Sequence, residues 1–190
     1  KGAFSSPDDV LDREILNSLY PDTPYGLESG GDPKNIRDLS YEEFLAFHKK
    51  YYHPSNSYIY LYGDMDMEER LSWLDLEYLS KFDADQVESE ITMQPAFAKV
   101  KELDKTYSIS NLEEEEDNTY LAYNWSVGDV LNADLSAAMS IVEYVLLEAP
   151  GAPLKQALLD AAVGKDIEGS YDSGVRQPYF SVIARNSNPE

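Results

Sequence analysis

Two histidines, His48 and His53, are the first side chains whose type invites chemistry. Paired imidazoles hold a zinc ion when both lie on one helix face, which a spacing of four residues achieves. Here the spacing is five, and His53 stands directly before Pro54, where a helix has to end. The pattern predicts one half-buried helix histidine and one loop histidine, not a metal pair. The acidic run Glu113-Glu114-Glu115-Glu116-Asp117 lacks the alternation and the glycine of a calcium loop, and it reads as a solvated hairpin tip. Gly30-Gly31-Asp32-Pro33 suits a tight turn, but no Gly-Lys-Ser/Thr follows to make a phosphate loop. There is no Gly-x-Ser-x-Gly elbow and no cysteine, so serine-elbow and thiol chemistry are both missing. Glu42-Glu43 and Glu68-Glu69 are accounted for by helix starts, where acids oppose the positive end of the helix dipole. No catalytic residue, metal ligand or substrate-binding residue is therefore assigned from the residues themselves.

The bulk numbers narrow the class further. The 190 residues carry 36 acidic and 15 basic side chains, a net charge of −21. Nucleic acid is excluded as a partner on this balance, because phosphate binding needs a basic footprint. Hydrophobic residues at 43% and aromatics at 12% supply a core. No apolar run is long enough to span a membrane, so no membrane partner is expected. The absence of cysteine fits a reducing compartment, and the cytoplasm is the default expectation.

The elements that would carry any site follow from periodicity and caps. Ser6, Pro7, Asp8 and Asp9 start a helix running to about Tyr20. A Gly-, Pro- and Asp-rich loop fills 21–39, and the Ser40–Glu43 capping box opens a helix over 41–52. Tyr58-Ile59-Tyr60-Leu61-Tyr62 reads as a strand, and a helix capped by Asp66 runs to about Phe82. Residues 83–98 lose periodicity and are the expected linker. Beyond it, 99–110 and 119–127 are expected to pair as strands around the turn 111–118. Helices follow over 132–148 and 153–162, with closing strands near 166–172 and 177–184. The class is α+β, antiparallel sheet with helices packed on it. The division is 1–82, a linker over 83–98, and 99–190; the resemblance to a known family, carried by the stretches that follow, implies that 1–82 is the C-terminal part of a first domain and 99–190 the N-terminal part of a second.

Several stretches, taken in order, resemble the presequence-protease branch of the pitrilysin–insulinase metallopeptidases. Tyr25-Gly26-Leu27-Glu28-Ser29-Gly30-Gly31-Asp32-Pro33 is similar to the family's Tyr-x-x-x-Ser-Gly-Gly-Asp-Pro loop. Phe47-His48, followed by Tyr51-Tyr52-His53-Pro54-Ser55-Asn56, resembles its helix exit, and Gly63-Asp64 its strand exit. Arg176-Gln177-Pro178-Tyr179-Phe180-Ser181 is similar to a stretch of its second domain, and Lys1-Gly2-Ala3-Phe4 to the segment just after its third metal ligand. The resemblance implies a zinc endopeptidase whose His-x-x-Glu-His helix activates water on the metal and whose domains enclose peptide substrates in a chamber. None of those catalytic positions maps onto this sequence, which has no His-x-x-Glu-His, and Arg176 and Tyr179 take none of the family's catalytic roles. The expectation is an internal fragment, inactive alone and without zinc of its own, that lacks its flanking domains. Strand 58–62, deprived of neighbours, is expected to expose an edge or associate with another copy. The alternatives are a scaffold homologue that kept the fold and lost the metal, and an acidic peptide-binding module.

Overall fold

The computed structural model describes residues 6–188. The resembling stretch Lys1-Gly2-Ala3-Phe4 lies outside the described residues. The chain divides into two compact units, Gly31–Glu90 on one hand and Lys1–Gly30 with Ile91–Glu190 on the other. These ranges differ from the expected division at residues 83–98. The first helix and its following loop group with the second half of the chain, because Tyr20, Asp22 and Tyr25 bond to Gln177, Gln94 and Arg176.

In the larger unit, α1 (Pro7–Leu19) starts as its sequence demands. Ser6 Oγ accepts from the Asp9 amide at 3.1 Å, Pro7 fills the first turn, and Tyr20 closes the helix by donating to Leu16 O. The sheet contains β1 (Thr119–Ser126), β2 (Asp166–Asp172) and β3 (Tyr179–Ser187), in the order β1-β3-β2 with both pairings antiparallel. Side chains alternate between faces along each strand. Phe180 and Ala184 of β3 join Ile167 of β2 on one face, and Leu147 packs over them to form the buried core. Trp125 of β1 stacks on Phe180 with ring centroids 5.0 Å apart. On the other face, Arg185 of β3 bridges Asp8 of α1 and Glu168 of β2 and lies over the Tyr120 ring.

Leu147 reaches the sheet because of a local change of helical pitch. The sequence predicts one helix over 132–148. Instead α5 (Ala133–Glu143) runs into a π-helical turn, Tyr144–Glu148, before Pro153 opens α6 (Pro153–Asp160). Opposite Leu147 stands Gly169, where an added Cβ would lie 2.3 Å from Leu147 Cδ1 and 2.5 Å from Ser181 O.

Two predicted strands do not form. Residues 99–110 make no ladder, and the expected hairpin with 119–127 is absent. β1 pairs with β3 instead, whose buried Phe180, Ser181, Ile183 and Ala184 give it a continuous interior neighbour. Segment 99–110 is attached through side chains: Lys105 pairs with Glu14 of α1, and the Tyr107 hydroxyl donates to Asn118 O while its ring meets Tyr120 edge-on. In the smaller unit, residues 58–62 are extended but unpaired, since no strand among the described residues lies beside them to complete a ladder. That unit holds α2 (Pro33–Ile36), α3 (Tyr41–Tyr51) and α4 (Met67–Glu77). The predicted run of the last helix to Phe82 ends early, with a separate 3-10 turn at Leu79–Lys81.

Replacing Gly169 by alanine forces Leu147 or the strand to shift. The expected result is a loss of about 1–3 kcal/mol, the usual cost of overpacking a filled site. Urea unfolding followed by circular dichroism measures it, and an unchanged midpoint contradicts the packing described.

Candidate functional site

The best-organised polar constellation is a knot around Gln177. The Tyr20 hydroxyl donates to Gln177 O, while Gln177 Nε2 donates to Gln94 O at 3.2 Å and the Gln94 amide donates back to Gln177 Oε1. Gln94 in turn accepts from the Asp22 amide at 2.9 Å through Oε1 and donates to Asp22 Oδ2 at 2.6 Å through Nε2. Tyr20 and Gln94 are buried, so these bonds are protected from water. Burial, aided by the neighbouring Tyr179, drives the Tyr20 hydroxyl well above the usual phenol range, which keeps it a donor. One residue earlier, the Arg176 amide donates to the Tyr25 hydroxyl at 3.2 Å. The Arg176 guanidinium grips Asp129 with contacts of 3.1–3.3 Å. The Leu131 amide first, and Arg176 next, hold the Asp129 carboxyl below its usual range. Tyr179 donates to Asp172 at 3.2 Å. Arg176 and Tyr179 thus perform structural work, joining the β2–β3 turn to neighbouring loops.

A groove of about 800 Å³ lies between α1, residues 94–107 and the outer side of β1. Its lining is mixed: Leu11, Phe97, Tyr107 and Trp125 alternate with Glu14 and Lys105, which pair at 3.1 Å. Asn124 also lines it, and its side-chain oxygen is buried without a hydrogen-bond partner. Ser181, directly opposite in the ladder, has a buried hydroxyl in the same condition.

The histidines sit in the smaller unit and do not form a metal site. His48 stacks on Tyr52 at 4.6 Å, while His53 Nδ1 accepts from the Ser55 amide at 3.2 Å and its ring meets Phe82 edge-on. No group of three or more His, Asp or Glu able to hold a metal occurs among the described residues. The described residues do not fit a catalytic zinc. Gly31 adopts φ +80° and Asp32 caps α2 through the Lys34 amide at 2.8 Å, so the Gly-Gly-Asp-Pro stretch is a helix entry. The acidic run is a tip whose Asp117 is tied to Lys165, the main reason its carboxyl lies below the usual range, and to Asn188. Gln94 and Asp129 escaped sequence reading. Gln94 lies in the aperiodic stretch taken as linker, and neither residue belongs to a local pattern that points to its distant partner.

With this arrangement in view, comparison with known proteins gives one answer. Residues 38–189 match the family described as the peptidase M16 inactive domain, and the chain belongs to that family. It is similar to Protein HypA of Clostridium perfringens, 45% identical over 98% of this chain and 19% of that protein. It is also similar to presequence protease 1, chloroplastic/mitochondrial, of Arabidopsis thaliana, 35% identical over 100% of this chain and 18% of that protein. The chain therefore spans about a fifth of the length of these curated relatives. The fold resembles the crystal structure of an M16-like peptidase from Alicyclobacillus acidocaldarius, with TM-score 0.56 and 17% identity over 97% of this chain and 44% of that one.

Two outcomes test the polar network. Gln94→Ala removes the two side-chain bonds to Asp22 and keeps the backbone bonds to Gln177, so stability should fall by about 0.5–1.5 kcal/mol in chemical unfolding. Carbon-detected NMR titration should find Asp129 ionising below ordinary aspartates. Because the folded pKa is depressed, its contribution is present above the unfolded value near 4 and is lost as pH falls through the folded value. Arg176→Ala should move the Asp129 transition upward.

Proposed function

We infer that this chain is a non-catalytic portion of a zinc-dependent endopeptidase that degrades peptides inside a closed chamber, lacking the zinc ligands and inactive by itself. The observation that carries this reading is the similarity to presequence protease 1 along the whole of this chain within a protein several times longer. The match to an inactive M16 domain supports a supporting role and not a chemical one. The polar knot gives that role physical content. It holds α1, the 94–97 segment and the β2–β3 turn as one body, and such rigid elements can form part of a chamber wall. In the longer enzyme, zinc would supply a polarised carbonyl and an activated water. This chain's own residues contribute packing and surface.

A zinc and peptide assay tests the proposal directly. The chain alone should retain less than equimolar zinc after dialysis and should leave unfolded peptides uncut. A longer polypeptide containing this segment and an upstream His-x-x-Glu-His should bind zinc and cleave them. His48→Ala and His53→Ala should leave zinc content and cleavage of that longer polypeptide unchanged. Equimolar zinc on the chain alone, lost in either histidine variant, overturns the reading.

A further inference from the structure

The face of the sheet that turns toward α1 carries polar groups along most of its length. Arg185 bonds to Glu168 across the β2–β3 ladder and to Asp8 of α1, and the Tyr179 hydroxyl donates to Asp172 at 3.2 Å on the same face. Alternate residues of a strand share a face, so Ser181 and Ile183 of β3 stand between Tyr179 and Arg185. Across the two ladders, Ser181 has Asn124 of β1 on one side and Ser170 of β2 on the other. Helix α1 crosses this face between two fixed points. Asp8 meets Arg185 at its start; Tyr20, just past its end, meets the Tyr179 ring at 6.2 Å and bonds to Gln177 O. Ser181 stands midway between Arg185 and Gln177 in sequence, so it lies under the middle of the helix, the part that carries the buried Ile15.

Ser181 is 1% exposed, and its buried hydroxyl has no hydrogen-bond partner among the described residues. The Asn124 side-chain oxygen, beside it in the β1–β3 ladder, is buried in the same condition. The ladder brings the two close. Val127 N donates to Pro178 O, so the odd residues of β1 exchange backbone bonds with β3. Asn124 and Ser181 are therefore a pair without backbone bonds between them, the kind whose side chains approach more closely. The Cβ atoms of such a pair lie about 4.5–5.5 Å apart, which fits one oxygen placed between the polar ends at about 2.8 Å from each. Burial of an unpaired donor or acceptor is costly, and the next residue on this face, Ile183, is a buried apolar side chain. The space between the pair faces one hydroxyl donor and one carbonyl acceptor. Its occupant has to accept from the first, donate to the second and fit beneath a packed helix. Water meets all three conditions, and buried waters bridge about two to four otherwise unsatisfied polar groups.

We propose that Asn124 and Ser181 hold one buried water beneath α1, the Ser181 hydroxyl donating to it and the water donating to Asn124 Oδ1. Helix α1 closes the site from above. Asn124, which also lines the groove beside α1, marks the side on which the water exchanges with solvent. The site does not depend on the peptidase reading.

Magnetic relaxation dispersion of the water signal counts the waters that a protein holds for longer than it takes to tumble. Ser181→Ala and Asn124→Leu should each lower that count by one relative to wild type, and the double variant should also lower it by one, not two. Circular dichroism verifies that each variant folds. In urea unfolding, Asn124→Leu should lower the midpoint less in the Ser181→Ala background than in wild type, because the water is already gone. A crystal structure of the wild-type chain should show an oxygen within hydrogen-bond distance of both side chains, and it decides the question if either variant fails to fold. An unchanged water count in both single variants, or midpoint losses that simply add, overturns the proposal. So does a crystal structure in which the Ser181 hydroxyl donates directly to Asn124 Oδ1, or in which no oxygen lies between them.

Discussion

The larger unit depends on one partly buried backbone carbonyl. Gln177 O takes the hydrogen of Tyr20, and the same residue's side chain exchanges two bonds with the Gln94 backbone. These contacts join segments about 80 and 157 residues apart in sequence, so each closes a long loop at an entropic cost that only buried, satisfied groups offset. The position is well chosen. Gln177 precedes Pro178, which is fully buried, and Pro178 leads directly into β3, the central strand. Fixing this residue fixes the start of the strand against which both others align, and it places α1 on the face opposite Leu147. The Arg176–Asp129 and Tyr25 contacts one residue earlier reinforce the same corner.

The smaller unit shows the opposite condition. No residue of 31–90 is buried, and Phe44, Phe47, Leu71, Trp73 and Leu76 are exposed. Its helices are held by local devices: the reciprocal Ser40–Glu43 capping box, the Asp66 cap and the His53–Ser55 turn. Short helices are marginal without an apolar partner. Within this unit, the apolar side chains of α3 and α4 are left without a buried core of their own.

Local signals in the sequence were reliable where the cause is local. Ser6, Ser40 and Asp66 cap the helices expected of them, and 119–126, 166–172 and 179–187 are strands close to the expected ranges. The failures share a cause in tertiary partnership. Residues 58–62 and 99–110 have strand composition, but a strand exists only with a neighbour, and alternation of side chains cannot specify which neighbour that is. The Gln177 knot was illegible for the same reason. Glutamine carries no periodic or charge signature, and Gln94 stands in a stretch with neither. The motifs that resemble the metallopeptidases were legible as family marks, yet their structural roles proved to be a helix entry at Asp32, a helix exit at His53 and a corner at Gln177.

The π-helical turn at Tyr144–Glu148 sets the phase of everything that follows it. Such a turn holds one residue more than the α-helical turn it replaces. Each α-helical residue advances the side chains by about 100° around the axis. Wound at plain α pitch, the same residues would carry Leu147 round by a part of that angle, away from Gly169 and out of the core. The packing of the core is thus set by the pitch of the chain at this turn as much as by the leucine it carries.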